Sequence, residues 1–468
     1  MSDRQTIDVD AIVDRQKLGW FNYSIVFWSF LIMLLDGWDI VAAAVSGQSL
    51  IKEWGVTRAD LGPMLAANNI GVLFGAPLFG WIGDRFGRRP AIVLSAIIFG
   101  LFTLGGTTAG SLDQLTLMRM LGGIGIAGVI TNTIALNAEM APTRLRASLI
   151  IIMFLGNTTG GALPGLFGAT LIGNYGWRSL FYIGGLVPIA LGLLLWFVIP
   201  ESIKFLALSD RRRARTAALA RIMSPGIAIG PDDSFTTATG RRNAGLVSSG
   251  NIVASIGRSL SGLFAGRYAI ITLLIWLLFA INLMVFYFVN TWTPAILGPV
   301  VVKAGGSAET AFHALFALQI AGTFGGLLLT GFLDRLGLRP VFVLILCAIP
   351  ATAAIGWSAS NGLLVPAAAV AGFCLLSIQF GLNASVGIVY PTEIRSNGVG
   401  WAFGIGRFGA IVGPLYGAEL LRRHYPIEQL FVFVALPMIV SALACLLLIR
   451  LHDTARPDEA AKAAALSH

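Results

Sequence analysis

The chain has 468 residues, 56% of them apolar and 12% charged, with a net charge of +9. A soluble domain carries roughly 25% charged residues, so this chain has too little polar surface to stay dispersed in water. That balance excludes a disordered protein, a secreted disulfide scaffold and an ordinary cytosolic enzyme, and it indicates an all-α polytopic membrane protein.

Residues 1–19 are polar and carry Arg4, Arg15 and Lys17. The apolar run that opens at Trp20 is too long for the core of a cleavable signal peptide. From there, continuous apolar runs broken by charge and Gly/Pro clusters predict twelve spans, at 21–46, 61–83, 90–109, 113–137, 146–172, 177–199, 269–297, 310–333, 340–358, 363–386, 397–421 and 428–450. Each is predicted to be a helix, because backbone in contact with lipid must satisfy its own hydrogen bonds. Cys347, Cys374 and Cys445 all fall within apolar runs at no metal-like spacing, and are read as inert thiols.

Orientation follows from the basic residues. With the N-terminus cytoplasmic, 24 of the 32 Lys and Arg residues fall on the cytoplasmic side. Six fall outside (Lys52, Arg58, Arg178, Lys303, Arg422, Arg423), and Arg119 and Arg407 fall inside spans. This asymmetry predicts cytoplasmic N- and C-termini. The longest loop is then cytoplasmic and carries Arg211, Arg212, Arg213 and Arg215, read as topology and contact with anionic lipid. It divides the chain into a six-helix bundle over 1–200, a linker over 201–268, a second six-helix bundle over 269–450 and a tail over 451–468.

The two halves repeat each other. GWIGDRFGRRP at 80–90 matches TGFLDRLGLRP at 330–340, APTRLR at 141–146 matches YPTEIR at 390–395, and Pro164 in span 5 matches Pro414 in span 11. Three matches in order, at offsets of 250, 249 and 250 residues, imply two bundles related by a pseudo-twofold axis along the membrane normal. Such symmetry suits a transporter with its site between the halves, near mid-membrane.

The segment from Gly80 to Arg89, with Asp84, Arg85, Gly87 and Arg88 at the fixed positions, resembles the G-x-x-x-D-R-x-G-R-R signature of the major facilitator superfamily. RMLGGIGIAG at 119–128 resembles that family's fourth-helix motif, and Pro200-Glu201-Ser202 its sixth-helix motif. The second copy of the loop signature departs once, with Thr330 for the leading Gly. In span 1, Asp36-Gly37-Trp38-Asp39 resembles the D-G-aromatic-D motif of the aromatic acid/proton symporters, bacterial importers of benzoate-type acids. Glu139 before Pro142, and Arg395 and Arg407 twelve residues apart, fit the same pattern. The resemblance implies a twelve-helix carrier that imports an aromatic carboxylate with protons by alternating access. In that family the loop signature stabilises one conformational state. This assigns gating to Gly80, Asp84, Arg85, Gly87, Arg88, Glu139, Asp334, Arg335 and Arg395.

Charges within spans are costly and mark function. Asp36 and Asp39 are three residues apart, on one helical face. Carboxylates so close resist double ionisation, which suits a proton carrier. Asp39 lies about seven residues, roughly 10 Å, from the outer end of span 1. Arg119 lies at nearly the same depth in span 4, so it is expected to pair with one of these aspartates in one proton state. Arg407, near mid-membrane in span 11, has no acidic neighbour in its own helix and needs an anion. A substrate carboxylate serves, ideally as a bidentate contact.

Apolar walls and a few polar contacts for a ring come from a pool that includes Trp38, Phe286, Tyr287, Asn290, Gln379 and Asn383, with His313 added near the outer end of span 8. Gly156 with Gly160, and Gly404 with Gly409, flank Pro164 and Pro414 and are expected to allow close helix packing and slight kinks.

No phosphate-binding loop, catalytic constellation or metal spacing is visible, so the expectation is no enzyme, no cofactor and protons as the coupling ion. The expected setting is the bacterial cytoplasmic membrane, as a lipid-embedded monomer with no nucleic-acid partner. Two competing readings stand: the same fold with another organic anion, a sugar or a drug as cargo, and a transporter-like sensor that signals through the 201–268 loop.

Overall fold

The computed structural model of the chain describes residues 6–227, 229–230, 233–237, 261–390 and 392–465. Side chains at 147, 210, 330, 331, 333–335, 387, 388, 392, 393, 395, 396 and 452–465 fall outside that description. Among the described residues the elements run β1 (Thr6–Asp8), α1 (Val9–Arg15), α2 (Trp20–Trp54), α3 (Leu61–Phe86), α4 (Arg88–Gly105), α5 (Leu112–Met140), α6 (Arg146–Tyr175), α7 (Arg178–Val198), α8 (Ile203–Ala207), α9 (Arg213–Met223) and β2 (Ser234–Thr236). They continue as α10 (Tyr268–Lys303), α11 (Thr310–Leu336), α12 (Arg339–Ser358), α13 (Leu364–Val389), α14 (Thr392–Arg422), α15 (Ile427–Ala435) and α16 (Pro437–Ala465).

Eleven of the twelve predicted spans each lie on one long helix, with revised ends. Helix α2 runs on to Trp54 and stops only at Gly55, which takes a left-handed conformation at φ +66° and returns its N–H to Ile51. The twelfth span is two helices. The break falls at Leu436, ahead of Pro437, a residue that cannot donate the N–H a continuous helix needs. Among the described residues eleven helical stretches are long and apolar enough to cross a membrane, with α15 and the start of α16 counted as one. Helix α14 is not among them, because Arg407 and its many glycines dilute an otherwise apolar run. Large apolar side chains cover the outside of the bundle, among them Phe74, Trp81, Phe197 and Leu443, as lipid requires.

The repeat is visible in the packing. In the first half α2 packs on α6, α3 on α5, and α4 on both α5 and α7. In the second, α10 packs on α14, α11 on α13, and α12 on α13, α15 and α16. Glycines set the closest approaches. A Cβ on Gly37 or Gly160 would lie 1.8 Å from the carbonyl oxygen of Asn157 or Leu34 across the α2–α6 contact. In the equivalent α10–α14 contact, a Cβ on Gly409 would lie 2.0 Å from the oxygen of Ala280. No larger residue fits such backbone contacts. Gly404 is different: nothing lies within 4 Å of its Cβ position, so it does not share the packing role of Gly409.

The halves touch through α2–α10, α3–α14 and α6–α11. The contacts gather toward the end remote from the termini, hereafter the far face. There Gln48 donates to the carbonyl of Ala295, a Cβ on Gly62 would lie 2.4 Å from that of Ala418, and Gly165 and Gly168 lie against Phe316 and Phe312.

The opposite, terminal face holds an element the polar reading of residues 1–19 did not anticipate. Strand β1 pairs in parallel with β2 of the linker, Thr6 opposite Ser234. Asp14 accepts from the Thr143 N–H at 2.9 Å and its hydroxyl at 2.6 Å. Gln16 donates to the Met140 carbonyl at 2.8 Å, and Lys204 bonds Asp10. The N-terminal segment is thereby strapped to the end of the first bundle.

Candidate substrate and proton site

Two buried charge clusters sit on α2. At the first, the Asn157 amide of α6 donates to Asp36 Oδ2 at 2.7 Å. The missing side chain of Gly37 lets α6 come close enough for that bond. Asp36 is 5% exposed, and across the interface between the halves it feels the charge of Arg407 on α14. The Arg407 guanidinium in turn reaches the Tyr287 hydroxyl of α10 at 3.5 Å, and Tyr287 packs edge-on against Phe286 at 5.6 Å between ring centres. A carboxylate of one half and a cation of the other are thus each anchored within their own half.

At the second cluster, one turn along α2, Asp39 Oδ2 lies 3.4 Å from Arg119 of α5, with both side chains at most 6% exposed. Thr103 of α4 donates to Asp39 at 3.5 Å, and Arg119 Nε donates to the Met64 carbonyl at 3.3 Å. Arg119 Nη1 has no partner among the described residues. Of the two aspartates, Arg119 therefore meets Asp39, while Asp36 is held by Asn157.

The other candidates distribute unevenly. Gln379 accepts from Asn282 at 2.9 Å and donates to Asn383 at 3.0 Å, a chain of amides linking α10 to α13 within the second half. Trp38 is not brought to the interface: its indole N–H donates to the Leu180 carbonyl of α7 at 3.0 Å, and its ring lies against Gly184. His313 is exposed, one turn into α11, and does not join either cluster. Asn157 was missed by the sequence reading; its one signal was an amide beside the Gly156 and Gly160 contact.

On the terminal face, Arg88 binds Asp84 at 2.7 Å and Glu139 at 2.8 Å. Glu201 caps the start of α4, accepting from the N–H groups of Arg88 at 2.8 Å and Arg89 at 3.4 Å. Gly87, at φ +108°, leaves room for that carboxylate: a Cβ there would lie 2.2 Å from Glu201 Oε2. Burial pushes the Glu201 carboxyl above its ordinary range, against the pull of the N–H donors. Arg85 stacks on Trp81 and Phe86 rather than pairing with Glu139. Nothing lies within 4 Å of a Cβ placed on Gly80. The second-half counterparts Asp334, Arg335 and Arg395 lie outside the described side chains. Among the described residues no group of three His, Cys, Asp or Glu stands together as a metal site.

Comparison with known proteins bears on this arrangement over nearly its whole length. The family model described as Major Facilitator Superfamily matches residues 27–308 and 281–467. A gallate transporter of Pseudomonas putida is 34% identical over 94% of this chain and 94% of its own. A 4-hydroxybenzoate transporter of Pseudomonas aeruginosa is 33% identical over 95% of this chain and 96% of its own. Among solved structures, an inward-facing, unoccupied bacterial homolog of the human lysosomal transporter Spinster superposes with a TM-score of 0.70 at 18% identity, covering 94% of this chain and 99% of that one. The xylose transporter XylE of E. coli, in a partially occluded inward-open form, gives 0.68 at 18% identity, covering 91% and 97%. At those identities the structures speak for the fold alone. The family model and the relatives go further: the chain belongs to the Major Facilitator Superfamily and is a membrane transporter, not an enzyme.

Proposed function

We propose that this protein is a proton-coupled importer of an aromatic carboxylate of the benzoate or hydroxybenzoate class, working by alternating access as a monomer in the bacterial inner membrane. The observation that carries the reading is a buried Asp36 held by Asn157 at 2.7 Å in one half and an Arg407 held by the Tyr287 hydroxyl at 3.5 Å in the other. An ionised Asp36 competes with a substrate carboxylate for the same guanidinium. Protonation of Asp36 removes the competitor, so Arg407 and Tyr287 are free to take the substrate, and proton and substrate are carried together. Asp39 and Arg119 form a second pair that a proton can break. Relatives named for gallate and 4-hydroxybenzoate support an aromatic carboxylate as cargo.

With both termini cytoplasmic, as the basic residues favour, the far face is the outside. The contacts gathered there then belong to a state closed to the outside. The Asp84–Arg88–Glu139 network is the gating element on the cytoplasmic face. Protons are the coupling ion, and no cofactor takes part.

The test is uptake of labelled benzoate and 4-hydroxybenzoate into proteoliposomes, with and without an inward proton gradient. The wild type accumulates substrate under the gradient. Asp36→Asn still exchanges substrate but does not concentrate it, and Arg407→Lys loses affinity. Gradient-driven accumulation by Asp36→Asn, or wild-type affinity in Arg407→Lys, refutes the assignment. A folded wild type that accumulates no aromatic acid refutes the substrate class.

A further inference from the structure

Buried amides nearly always find hydrogen-bond partners, and one that lacks them calls for an explanation. Gln319 of α11 is 4% exposed, and its Oε1 has no partner among the described residues. Its placement is specific. Gln319 belongs to the second half but presses against the first: a Cβ on Gly161 of α6 would lie 2.2 Å from its Nε2. Gly161 is one helical turn from Asn157, the residue that holds Asp36. Helices α2 and α6 rise together, Phe30 against Gly156 and Leu34 against Gly160, so Gly161 lies on the far-face side of Asn157. The amide of Gln319 therefore stands about one turn, ~5 Å, beyond the Asn157–Asp36 contact.

Helix α10 supplies a second such group. Asn290 is fully buried, and neither its Oδ1 nor its Nδ2 has a partner among the described residues. It follows Tyr287 by three residues, on the same side of the helix and again toward the far face. Two unpartnered amides thus lie on the same side of the proposed carboxylate position, at a spacing of about one turn. An aromatic ring spans that distance between a carboxylate at one edge and a hydroxyl at the other. The hydroxyl hydrogen would be donated to an amide oxygen.

We propose that Gln319, with Asn290, forms the ring-hydroxyl end of the substrate site, so that the cargo is a ring-hydroxylated aromatic carboxylate in preference to an unsubstituted one. The inference rests on the reading that Arg407 takes the carboxylate. A site built around a substrate hydroxyl rejects the analogue that lacks it, because the protein group is left buried and unpaired.

The test is calorimetric binding of benzoate, 3-hydroxybenzoate and 4-hydroxybenzoate to the purified protein. The expected result is that at least one hydroxybenzoate binds the wild type about tenfold more tightly than benzoate does. In Gln319→Leu that preference falls to within about twofold, because hydroxybenzoate loses its partner and benzoate no longer strands a buried amide. Gln319→Met, nearly isosteric with Gln, repeats the measurement should the Leu variant fail to fold. Equal binding of all three acids by the wild type, or a preference retained in both variants, overturns the proposal while leaving the carboxylate reading intact. Failure of the wild type to bind any of the three overturns both.

Discussion

Neutralising one partner of the Asp39–Arg119 pair separates a structural clamp from a proton-operated one. At 3.4 Å two unit charges attract by about 5 kcal/mol at an effective dielectric of about 20. The cost of removing one partner is set by what is left behind. In Asp39→Asn the Arg119 guanidinium stays buried without a counter-charge, with the Met64 carbonyl and the substituted amide oxygen as neutral acceptors and Nη1 unpaired among the described residues. A buried cation abandoned in this way costs about 3–5 kcal/mol. The double variant Asp39→Asn/Arg119→Gln strands no charge and is expected to recover most of that loss, giving a coupling energy of about 2–3 kcal/mol. Reversible unfolding in mixed micelles measures the cycle. Single variants within about 0.5 kcal/mol of the wild type, or a double variant whose cost equals the sum of the singles, refute the electrostatic reasoning. Uptake then decides the role. The folded double variant is expected to exchange substrate without concentrating it, and undiminished accumulation would leave the pair a clamp only.

Two further outcomes follow from the terminal face. Arg88→Gln leaves Asp84 and the part-buried Glu139 without their cation; a gating role predicts a roughly tenfold fall in the maximal uptake rate, about 1.4 kcal/mol, with substrate Kd unchanged, and a matching change in Kd would contradict it. Donation by Thr143 holds the Asp14 carboxyl below its usual range; docking of α1 through this bond is therefore complete above the ordinary carboxylate pKa and weakens as pH falls through the lowered one. Asp14→Asn should abolish that acid dependence in limited proteolysis of the N-terminal segment, and a variant as pH-sensitive as the wild type would count against it.

The readable and unreadable parts of this molecule divide along one physical line. Spans could be read from apolar runs because lipid penalises every interruption, yet hydropathy does not register a missing N–H, and the break before Pro437 was invisible to it. Counting residues from the span ends brought Arg119 to the depth of Asp39, and the two lie 3.4 Å apart. Charges inside a membrane are so few that equal depth alone nearly determines a partner. Rotation about the helix is a harder matter. Trp38 sits between two aspartates in sequence, but its indole turns into α7, because adjacent residues on a helix point about 100° apart. Neutral amides are harder still. Asn157 and Gln319 differ in the sequence from no other amide in these spans, and depth does not choose among so many. What distinguishes Asn157 and Gln319 is a neighbour's missing side chain, Gly37 beside the first and Gly161 beside the second. An amide facing a glycine across a helix contact is therefore the sequence pattern to seek when two helices are already known to pack.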